Sequence, residues 1–265
     1  MTEERGIRVR DLSYSVEGRQ ILHKVSLFVE REANRTILGA SGAGKTTILK
    51  LMLGLLKPDA GEVLIDGVPL AGLSVNELIR LRRKIAIVFQ GGALFDSMTV
   101  GENVGYRLFQ DGELEESEIE RIVLEKLSFV GLEDTIDYYP SQLSGGMKKR
   151  VAIARALVSE PDYIFFDEPT TGLDPVGVYN ICHLMKLLQR DGKTTLMVTH
   201  DLATAFAVSE RFSFIHHALL IFDGTREEML RSQLPGIREF LEPSDASLFA
   251  VPKTPPGGDS HEAKR

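Results

Sequence analysis

The chain has 265 residues, enough for one large domain or two small ones, and its 43% hydrophobic and 26% charged residues are typical of a folded globular protein. Its single cysteine excludes an intrachain disulfide and a cysteine zinc cluster, and its net charge of −7 argues against a surface that coats nucleic acid. No apolar run approaches the roughly 20 residues of a membrane-spanning helix, and the start lacks the apolar core of a signal peptide, so we expect neither.

The N-terminal part of the chain is predicted to consist mostly of strands. Alternating apolar residues predict two antiparallel strands within the first 30 residues. A short buried strand at residues 35–38 enters a glycine-rich turn, and leucines at helical spacing then predict a helix over residues 46–56. A hairpin is expected around Asp66 and Gly67, which form a favoured pair for a two-residue turn.

The middle of the chain is predicted to be largely helical. Ser74 and Glu77 have the spacing of a capping box, which predicts a helix there, followed by an apolar strand. Ser117 and Glu120 predict a second capping box, at the acidic start of an amphipathic helix. We expect the helical stretch from about residue 92 to residue 160 to form a subdomain between two strand-rich blocks.

Strands and helices alternate in the C-terminal half of the chain. Strand-like runs near residues 163–166, 194–199 and 212–222 are separated by helical patterns near 176–190 and 202–208. Such alternation predicts an α/β fold with a mainly parallel sheet and helices on both faces. The first two strands would add an antiparallel β-subdomain to that core.

The strongest chemical signal is the sequence GASGAGKTT at residues 39–47. It fits the pattern G-x-x-x-x-G-K-[ST] and stands between a predicted strand and a predicted helix. Backbone N–H groups of such a loop bind phosphate, Lys45 adds a full charge for the β- and γ-phosphates, and the Thr46 hydroxyl is placed to ligate Mg²⁺. The expected phosphate-binding residues are Gly39, Ser41, Gly42, Ala43, Gly44, Lys45, Thr46 and Thr47.

A second signal is the apolar run at residues 163–166, which ends in Asp167 and Glu168. Ligands bind at the carboxyl ends of the strands in open α/β sheets, so we expect both carboxylates beside the glycine-rich loop. Asp167 is suited to the coordination shell of Mg²⁺, and Glu168 is suited to polarising a water for attack on the γ-phosphate. Together the two motifs predict a nucleotide hydrolase.

A third motif separates the many classes of phosphate-loop protein. Residues 143–147 (LSGGM) precede a predicted helix and begin 24 residues before Asp167. Here the chain resembles the ATP-binding cassette (ABC) ATPases, whose signature is Leu-Ser-Gly-Gly, usually followed by Gln. A hydroxyl and glycine N–H groups at a helix N-terminus make an anion site. The resemblance implies that Ser144, Gly145 and Gly146 bind the γ-phosphate of ATP held by the other subunit of a head-to-tail homodimer.

Three further residues match the same family in the expected order. Gln90, which ends a predicted strand, matches the glutamine that senses Mg²⁺ and the partner subunit. Asp174, in the sequence GLDP, matches the aspartate that crosses the dimer interface, and His200 matches the histidine that contacts the γ-phosphate. The resemblance covers about residues 7–241 and implies an ATPase that uses ATP and Mg²⁺. Its implied catalytic residues are Gln90, Glu168 and His200, and its implied metal-binding residues are Thr46, Gln90 and Asp167.

The chain departs from the family pattern in three places. The aromatic residue that stacks on adenine falls by position near Val16, so Tyr14, which has the same strand parity, is the candidate instead. Met147 replaces the usual glutamine of the signature, and residues 216–218 (HHA) stand where the family's hairpin after His200 usually has a glycine turn. The basic residues at 148–150 are interpreted as a solvated helix face, although such a run also attracts phosphate.

Within the family the chain looks most like the ATPases of bacterial lipid transporters of the Mla/Mce type. The discriminating runs are FQGGALFDSMTV at residues 89–100 and LSGGMKKRV at residues 143–151. The resemblance implies transport of phospholipid or a related lipid, at the cytoplasmic face of the inner membrane, with an integral-membrane permease and a periplasmic Mce-type lipid-binding protein as partners. Two alternatives stay open: another transporter class, for amino acids, metals or lipoproteins, and a non-transport cassette such as an iron–sulfur assembly or DNA-repair ATPase.

The segment at residues 91–105 is the expected docking surface for the permease. Leu94, Phe95, Met98 and Val100 are predicted to be exposed apolar side chains in a turn-rich segment just after Gln90. Exposed apolar patches of this kind mark partner sites.

The expected architecture is therefore an α/β phosphate-loop core, an N-terminal antiparallel β-subdomain and an inserted helical subdomain at about 92–160. We assign residues 1–250 to one ATPase domain. Residues 251–265, which are rich in proline, glycine and charge, are predicted to be a disordered tail. We expect no nucleic-acid partner.

Overall fold

The computed structural model describes residues 5–242, so the predicted tail at 251–265 lies outside the described residues. The strands in chain order are β1 (Gly6–Val16), β2 (Arg19–Glu30), β3 (Asn34–Leu38), β4 (Ala60–Ile65), β5 (Val68–Pro69), β6 (Ile85–Val88), β7 (Tyr163–Asp167), β8 (Thr194–Thr199), β9 (Arg211–His216) and β10 (Leu219–Thr225). The helices are α1 (Lys45–Met52), α2 (Val75–Arg82), α3 (Val100–Asp111), α4 (Glu116–Phe129), α5 (Gly145–Leu157), α6 (Pro175–Arg190), α7 (Leu202–Val208), α8 (Arg226–Arg231) and α9 (Pro235–Leu241).

The larger sheet has the strand order β10-β9-β3-β8-β7-β6. Its neighbouring strands are parallel except for β9 and β10, which form an antiparallel hairpin at one edge. The parallel arrangement brings the carboxyl ends of β3, β6, β7 and β8 to the same edge of the sheet. The glycine-rich loop, Gln90, Glu168 and His200 follow directly after these four strands, so the topology gathers the predicted site there.

Each face of this sheet has its own core. Ile164 and Phe166 of β7 belong to a cluster formed with helices α3 to α7, whereas Tyr163 and Phe165 belong to a cluster formed with α1 and the antiparallel strands. All four side chains are buried. A central parallel strand covered on both faces needs a continuous apolar sequence, and β7 has one. The predicted α/β fold with helices on both faces is confirmed.

The smaller sheet is antiparallel and has the strand order β2-β1-β4-β5. Its last hairpin turns at Asp66 and Gly67, as the sequence predicts. Asp66 also accepts hydrogen bonds from the Tyr163 hydroxyl and from the N–H of Gly6. The turn thereby ties the predicted N-terminal β-subdomain to the first residue of β7 in the parallel sheet.

The helix after the glycine-rich loop is shorter than predicted. It ends at Met52 rather than at residue 56. Gly54 takes a φ of 64°, and the N–H of Leu55 bonds back to the carbonyl oxygen of Lys50 at 2.9 Å. A glycine in the left-handed region with such a bond is a common helix stop. Gly54 therefore ends the helix before Pro58 is reached.

One of the two predicted capping boxes is wrong. Ser74 and Glu77 form theirs at the start of α2, with both reciprocal hydrogen bonds present. The N-cap of α4 is instead Glu115, without a side-chain hydrogen bond, so Ser117 and Glu120 lie inside the helix. The acidic residues still favour this end of α4, because they face the positive end of the helix dipole.

Helices α3, α4 and α5 lie between β6 and β7 in the chain and pack on one face of the parallel sheet through a shared apolar cluster. Thr99 caps the start of α3 and pairs with Glu102 in a capping box. Within residues 5–242, no helix combines the length and the apolar character that crossing a membrane requires.

Candidate nucleotide site

The glycine-rich loop joins β3 to α1 at the carboxyl edge of the parallel sheet. Gly42 and Gly44 have φ values of 77° and 99°, which glycine adopts at little cost. Gly39 lies so close to β9 that a Cβ atom there would be 2.5 Å from the carbonyl oxygen of Ile215. Glycine is required at these positions by backbone conformation in two cases and by a neighbouring strand in the third.

The N-terminus of α1 has no side-chain cap, because its N-cap residue is Gly44. The first N–H groups of a helix have no partner within the helix, and their partial positive charge favours an anion. Ser41 and Gly42 of the loop and Thr46 of the first helical turn are exposed to solvent. This helix end is accordingly open to a phosphate group.

Lys45 places a buried positive charge in the loop. Its Nζ donates to the carbonyl oxygens of Gly39 and Ala40 at 2.8 and 3.0 Å. The same atom is 3.6 Å from Oε1 of Glu168. Burial lowers the pKa of the Lys45 ammonium, and the charge of Glu168 opposes that shift. The ammonium is therefore held between loop carbonyls and the carboxylate that follows β7.

Thr46 and Asp167 bring a hydroxyl and a carboxylate together. Oγ1 of Thr46 donates to Oδ1 of Asp167 at 2.9 Å. Burial raises the pKa of Asp167, the Thr46 hydrogen bond opposes the shift, and the charge of Glu168 adds to it. A buried carboxylate whose anion is disfavoured in this way gains from a nearby cation, and Mg²⁺ prefers oxygen ligands of these kinds. The two side chains fit the predicted Mg²⁺ site.

Glu168 lies at the centre of the site in a strained backbone conformation. Its φ of 49° falls in the left-handed region, which is rare for residues other than glycine. Oε1 is 2.9 Å from Nδ1 of His200, and Oε2 accepts the hydroxyl of Thr199 at 2.9 Å. Burial alone would raise the pKa of Glu168, but the hydrogen bonds from His200 and Thr199 outweigh it and lower the pKa below its ordinary value. The carboxylate is ionised at neutral pH, so Nδ1 of His200 carries the shared proton.

The other two residues predicted on this side, Gln90 and Tyr14, lie apart from this network. Gln90 is exposed two residues beyond β6, the strand that pairs with β7. Tyr14 is half-buried and packs in the same apolar cluster as Ile21 and Ala43, at the side of the loop that faces the antiparallel sheet. Neither side chain makes a hydrogen bond to another residue in the described range 5–242.

Two residues of this network escape the sequence analysis. Thr199 donates to Glu168 from the end of β8, and Thr171 donates to the same carboxylate oxygen at 3.4 Å. A polar residue at the carboxyl end of a buried strand, directly before His200, was the available signal for Thr199. Thr171 lies in a loop, where no local pattern indicates its partner.

The signature residues lie in a separate cleft. Ser144 is the N-cap of α5, and its Oγ accepts the N–H of Met147 at 3.3 Å. Gly145 and Gly146 form the first turn of the helix. All four line a cleft of about 390 Å³, and no residue of the loop at 39–47 lines it. Within one chain, the structure therefore does not bring the signature and the glycine-rich loop together.

Asp174 lines the same cleft as the signature. It is the N-cap of α6, and its Oδ1 accepts the N–H of Gly177 at 2.7 Å. The N-termini of α5 and α6 therefore face the same cleft, and each is capped by the side chain of its own N-cap residue.

The basic run after the signature does not form the solvated face that the sequence predicts. Lys149 is buried and donates to two backbone carbonyl oxygens in the segment after β7. Arg150 donates to the carbonyl oxygens of residues 130 and 131. The reason is helical register: Lys149, Ala152 and Ile153 share the buried face of α5 at the spacing i, i+3 and i+4.

The loop after β6 is less exposed than predicted. Phe95 is 43% exposed, but Leu94 packs against the helical core and Met98 is half-buried. Val100 is fully buried, so the prediction that all four side chains are exposed is wrong for three of them. The buried Asn103 holds the loop in place: its amide donates to the carbonyl oxygens of residues 95, 98 and 99, and its Oδ1 accepts the Phe95 N–H at 2.7 Å.

Phe95 lines a second cleft, of about 430 Å³, beside β6. Its ring centroid is 4.9 Å from that of Tyr106, which also lines the cleft. Four arginines line the cleft and no carboxylate does. Arg82 and Arg155 donate to backbone carbonyl oxygens, whereas the other two arginines of the lining pair with Asp111. The cleft therefore combines an aromatic surface with two arginines that have no carboxylate partner within the described residues.

Comparison with known proteins gives consistent matches. The family model of ABC transporters matches residues 22–171. The chain is 38% identical to the intermembrane phospholipid transport system ATP-binding protein MlaF of Haemophilus influenzae, over 89% of this chain and 90% of that protein. It is 39% identical to the probable ribonucleotide transport ATP-binding protein mkl of Mycobacterium leprae, over 89% of this chain and 68% of that protein. A solved dimeric ATP-binding cassette in a post-hydrolysis state, bound to ADP and Pi, matches with a TM-score of 0.76 and 35% identity, over 83% of this chain and 98% of that one.

Proposed function

This chain belongs to the ABC transporter family and is an ATPase, and from that premise we propose that it drives a transporter of phospholipid or a related lipid. The observation that carries the proposal is the similarity to MlaF, which extends over nearly the whole length of both chains. The two runs that point to this group in the sequence lie in the loop after β6 and at the start of α5. The proposal puts the chain at the cytoplasmic face of the inner membrane, with a permease and a periplasmic Mce-type lipid-binding protein as partners.

In the proposed chemistry, the loop and the first turn of α1 bind the phosphates of ATP. The Nζ of Lys45 leaves the loop carbonyls for the β- and γ-phosphate oxygens, because charged oxygens are the stronger acceptors. Thr46, Asp167 and Gln90 would hold Mg²⁺, which neutralises phosphate charge when bound. The hydroxyl–carboxylate pair seen between Thr46 and Asp167 supports this assignment.

Glu168 is the proposed general base for the attacking water. The charge of Lys45 is one of the factors that lower the pKa of Glu168, so moving that charge to the phosphates raises the basicity of the carboxylate. Substrate binding would therefore activate the base that the substrate needs. His200 keeps the carboxylate oriented through its Nδ1 and lies exposed beside it, where it can reach the γ-phosphate.

We further propose that the hydrolysing state is a head-to-tail homodimer. The cleft of Ser144 and Asp174 is separate from the loop that holds Lys45, so one chain alone lacks a closed site. A two-fold axis would set the start of α5 in one copy against the nucleotide held by the loop of the other. The similarity to a cassette that is dimeric with ADP and Pi supports this arrangement.

The cleft beside β6 is the proposed docking site of the permease. Phe95 and Tyr106 offer an aromatic surface, while Arg82 and Arg155 leave positive charge without a carboxylate in the cleft. Its occupant should combine an apolar anchor with an acidic side chain or the negative end of a helix. Gln90 directly follows the cleft-lining segment, so movement of the docked segment can reach the nucleotide side.

The test is copurification from membranes of the wild-type chain, Phe95→Glu and the matched control Phe109→Glu. Phe109 of α3 is 48% exposed, similar to Phe95, but does not line the cleft. We expect the wild type and Phe109→Glu to carry an integral-membrane protein with bound phospholipid, and Phe95→Glu to lose both at an unchanged melting temperature. A charge at Phe95 would have to be desolvated on docking, which is costly.

Two outcomes would contradict this proposal. If Phe95→Glu retains the permease, docking occurs elsewhere on the surface. If the wild-type complex contains no phospholipid by mass spectrometry, the lipid assignment fails even though the ATPase assignment stands.

A second candidate function is transport of a ribonucleotide. The observation that favours it is the 39% identity to mkl, whose name describes probable ribonucleotide transport. Uptake of a labelled ribonucleotide by cells that carry or lack this chain separates the two candidates, because a lipid transporter leaves that uptake unchanged.

A further inference from the structure

Lys149 is a buried cation that the proposed chemistry does not use. It lies on α5, five residues after Ser144, and only 6% of it is exposed. Its Nζ donates to the carbonyl oxygen of Thr171 at 2.8 Å and to that of Glu168 at 3.3 Å. Within the described part of the chain the ammonium is bound by these backbone oxygens and forms no ion pair with a carboxylate.

The two carbonyl groups belong to the backbone segment that orients Glu168. The N–H of Glu168 donates to the carbonyl oxygen of Val198 at 2.9 Å. Its carbonyl oxygen accepts from the Nζ of Lys149 at 3.3 Å and from the N–H of Thr171 at 3.4 Å. Both polar backbone groups of this residue therefore have partners, one on β8 and the other on α5 and the following turn. A non-glycine residue with a φ of 49° persists only where its surroundings hold it in place.

Thr171 adds a second connection to the same carboxylate. Its carbonyl oxygen accepts from Lys149, while its hydroxyl donates to Oε2 of Glu168 at 3.4 Å. One lysine of the signature helix therefore contacts the peptide of Glu168 directly and the carboxylate through Thr171.

Filling space does not account for a lysine at this position. A methionine or leucine would fill the same buried helical face without removing a charge from water, which is unfavourable. Burial lowers the pKa of Lys149, which reflects that penalty. A charged donor instead makes stronger hydrogen bonds to carbonyl oxygens than a neutral donor does, which suits the holding of a strained peptide.

We propose that Lys149 is a positioning residue that fixes the peptide of Glu168 and couples it to the start of α5. Ser144 and Lys149 lie on one helix, about 7–8 Å apart along its axis. A displacement of α5 when phosphate binds at Ser144 therefore moves the peptide that orients the carboxylate. This inference rests on the proposed role of Glu168 as the general base.

The test compares Lys149→Met, Lys149→Arg and the matched control Lys148→Met by ATP hydrolysis and thermal melting of the full chain. Methionine removes the donors and keeps most of the length of the side chain, and arginine restores donors. Lys148 donates to no described residue. We expect kcat to fall about 10- to 100-fold in Lys149→Met, with KM for ATP within about threefold of wild type. Lys149→Arg should recover to within about threefold of wild-type kcat, and Lys148→Met should match wild type.

A second comparison repeats Lys149→Met in the Glu168→Gln background under single-turnover conditions. A residue that acts through Glu168 causes little further loss once that carboxylate is gone. A structural defect would instead lower the rate by the same factor in both backgrounds. If Lys149→Met does not fold, Lys149→Gln, which keeps one donor group, takes its place in both comparisons.

Three results would overturn the positioning role: kcat of Lys149→Met within twofold of wild type, an equal loss in the Glu168→Gln background, or an arginine variant no better than methionine. These results differ from a failure of the proposed chemistry. Wild-type activity in Glu168→Gln would refute the base itself, whereas an active Lys149→Met beside an inactive Glu168→Gln refutes only the coupling.

Discussion

The two helix ends proposed to bind phosphate, at α1 and at α5, differ in how their surroundings are built. Around α1 the charged groups converge: Glu168 contacts both Lys45 and His200, and Asp167 accepts a hydrogen bond from the Thr46 hydroxyl. Around α5 the cleft is open, and Ser144 caps its own helix. The first region carries groups that can move protons and charge, and the second offers hydroxyl and backbone N–H groups.

This difference indicates which of the two regions can act without a second subunit. The charged side chains around α1 are desolvated and held in place during folding, so they are already oriented before the substrate binds. An open helix N-terminus contributes only when an anion is brought to it. A substitution in the nucleotide-binding loop should therefore impair the site of its own subunit. A substitution in the signature cleft should impair only the site that it completes in a second copy.

The largest expected effect follows from changing Glu168. Glu168→Gln keeps size and hydrogen bonding but cannot accept a proton, so we expect kcat to fall about 10²- to 10⁴-fold. ATP should still bind and hold the dimer closed, which size-exclusion chromatography with Mg-ATP would show. Normal turnover, or a variant that remains monomeric at saturating ATP, would contradict the assignment of the chemistry to this region.

Removing the charge of Lys45 should have the next largest effect. Lys45→Ala takes away the charge expected on the β- and γ-phosphates, and we expect hydrolysis to fall about 10²- to 10³-fold. The fold should persist, because the lysine bonds only loop carbonyls and one carboxylate. Phosphate release and a thermal melt check both points, and near-normal hydrolysis would refute the role of the loop.

A subunit-mixing experiment tests the contrast between the two regions directly. Ser144→Arg puts a bulky cation at the signature and should lower activity about 10²-fold, while Ser141→Arg, exposed and outside the cleft, should not. Mixed with Lys45→Ala subunits, Ser144→Arg should regain up to about a quarter of wild-type activity, because half of the dimers then hold one intact composite site.

The absence of recovery in the mixture, with heterodimers demonstrated by differently tagged subunits, would contradict independent composite sites. The mixture of Ser141→Arg with Lys45→Ala is the positive control. Its heterodimers hold one intact composite site, because the Ser141→Arg subunit has an intact signature and an intact loop. A signature that acts within its own chain predicts no recovery in the mixture of Ser144→Arg and Lys45→Ala, because each subunit would then carry one defective half of its own site.

The smallest expected effect is on acid stability. Because the pKa of Glu168 is lowered in the folded chain, its stabilising effect is complete above its ordinary pKa of 4.5 and is lost as pH falls through the folded pKa. Thr199→Val removes one hydrogen bond to this carboxylate, which is expected to cost about 1.5–3 kcal/mol at pH 7.

Thermal melts at pH 7 and below pH 4 check this prediction. The difference between wild type and Thr199→Val should shrink in acid, because the protonated carboxyl no longer gains as much from the bond. Ser144→Ala removes a neutral cap at the other region and should lower stability by about 1 kcal/mol at both pH values. A constant difference for Thr199→Val would mean that the Glu168 carboxylate is not held as described.

Several elements could be predicted from the sequence because short stretches encode them. The helix predicted near 176–190 is Pro175–Arg190, and the one near 202–208 is Leu202–Val208. The glycine-rich loop needs glycine for its own backbone angles, and β7 is apolar throughout because both of its faces are covered. The order of the motifs predicts the family, which the comparisons confirm.

Other features could not be predicted from short stretches of sequence, because the exposure of a side chain depends on which segments pack against it. Lys149 and Arg150 stand in a basic run that composition alone assigns to the surface, yet both bond carbonyl oxygens from distant segments. Leu94 and Met98 are drawn inward because Asn103, on the following helix, holds their loop.

The sequence by itself determined where phosphate binding is expected, because glycine conformations, a helix start and an apolar strand are properties of short runs. Only the tertiary structure decided that Lys45 lies beside Glu168, that His200 and Thr199 hold the same carboxylate, and that Lys149 reaches its peptide from α5. The physical reason is that the burial and pairing of a charge depend on elements far apart in the chain, which meet only when the parallel strands align their carboxyl ends.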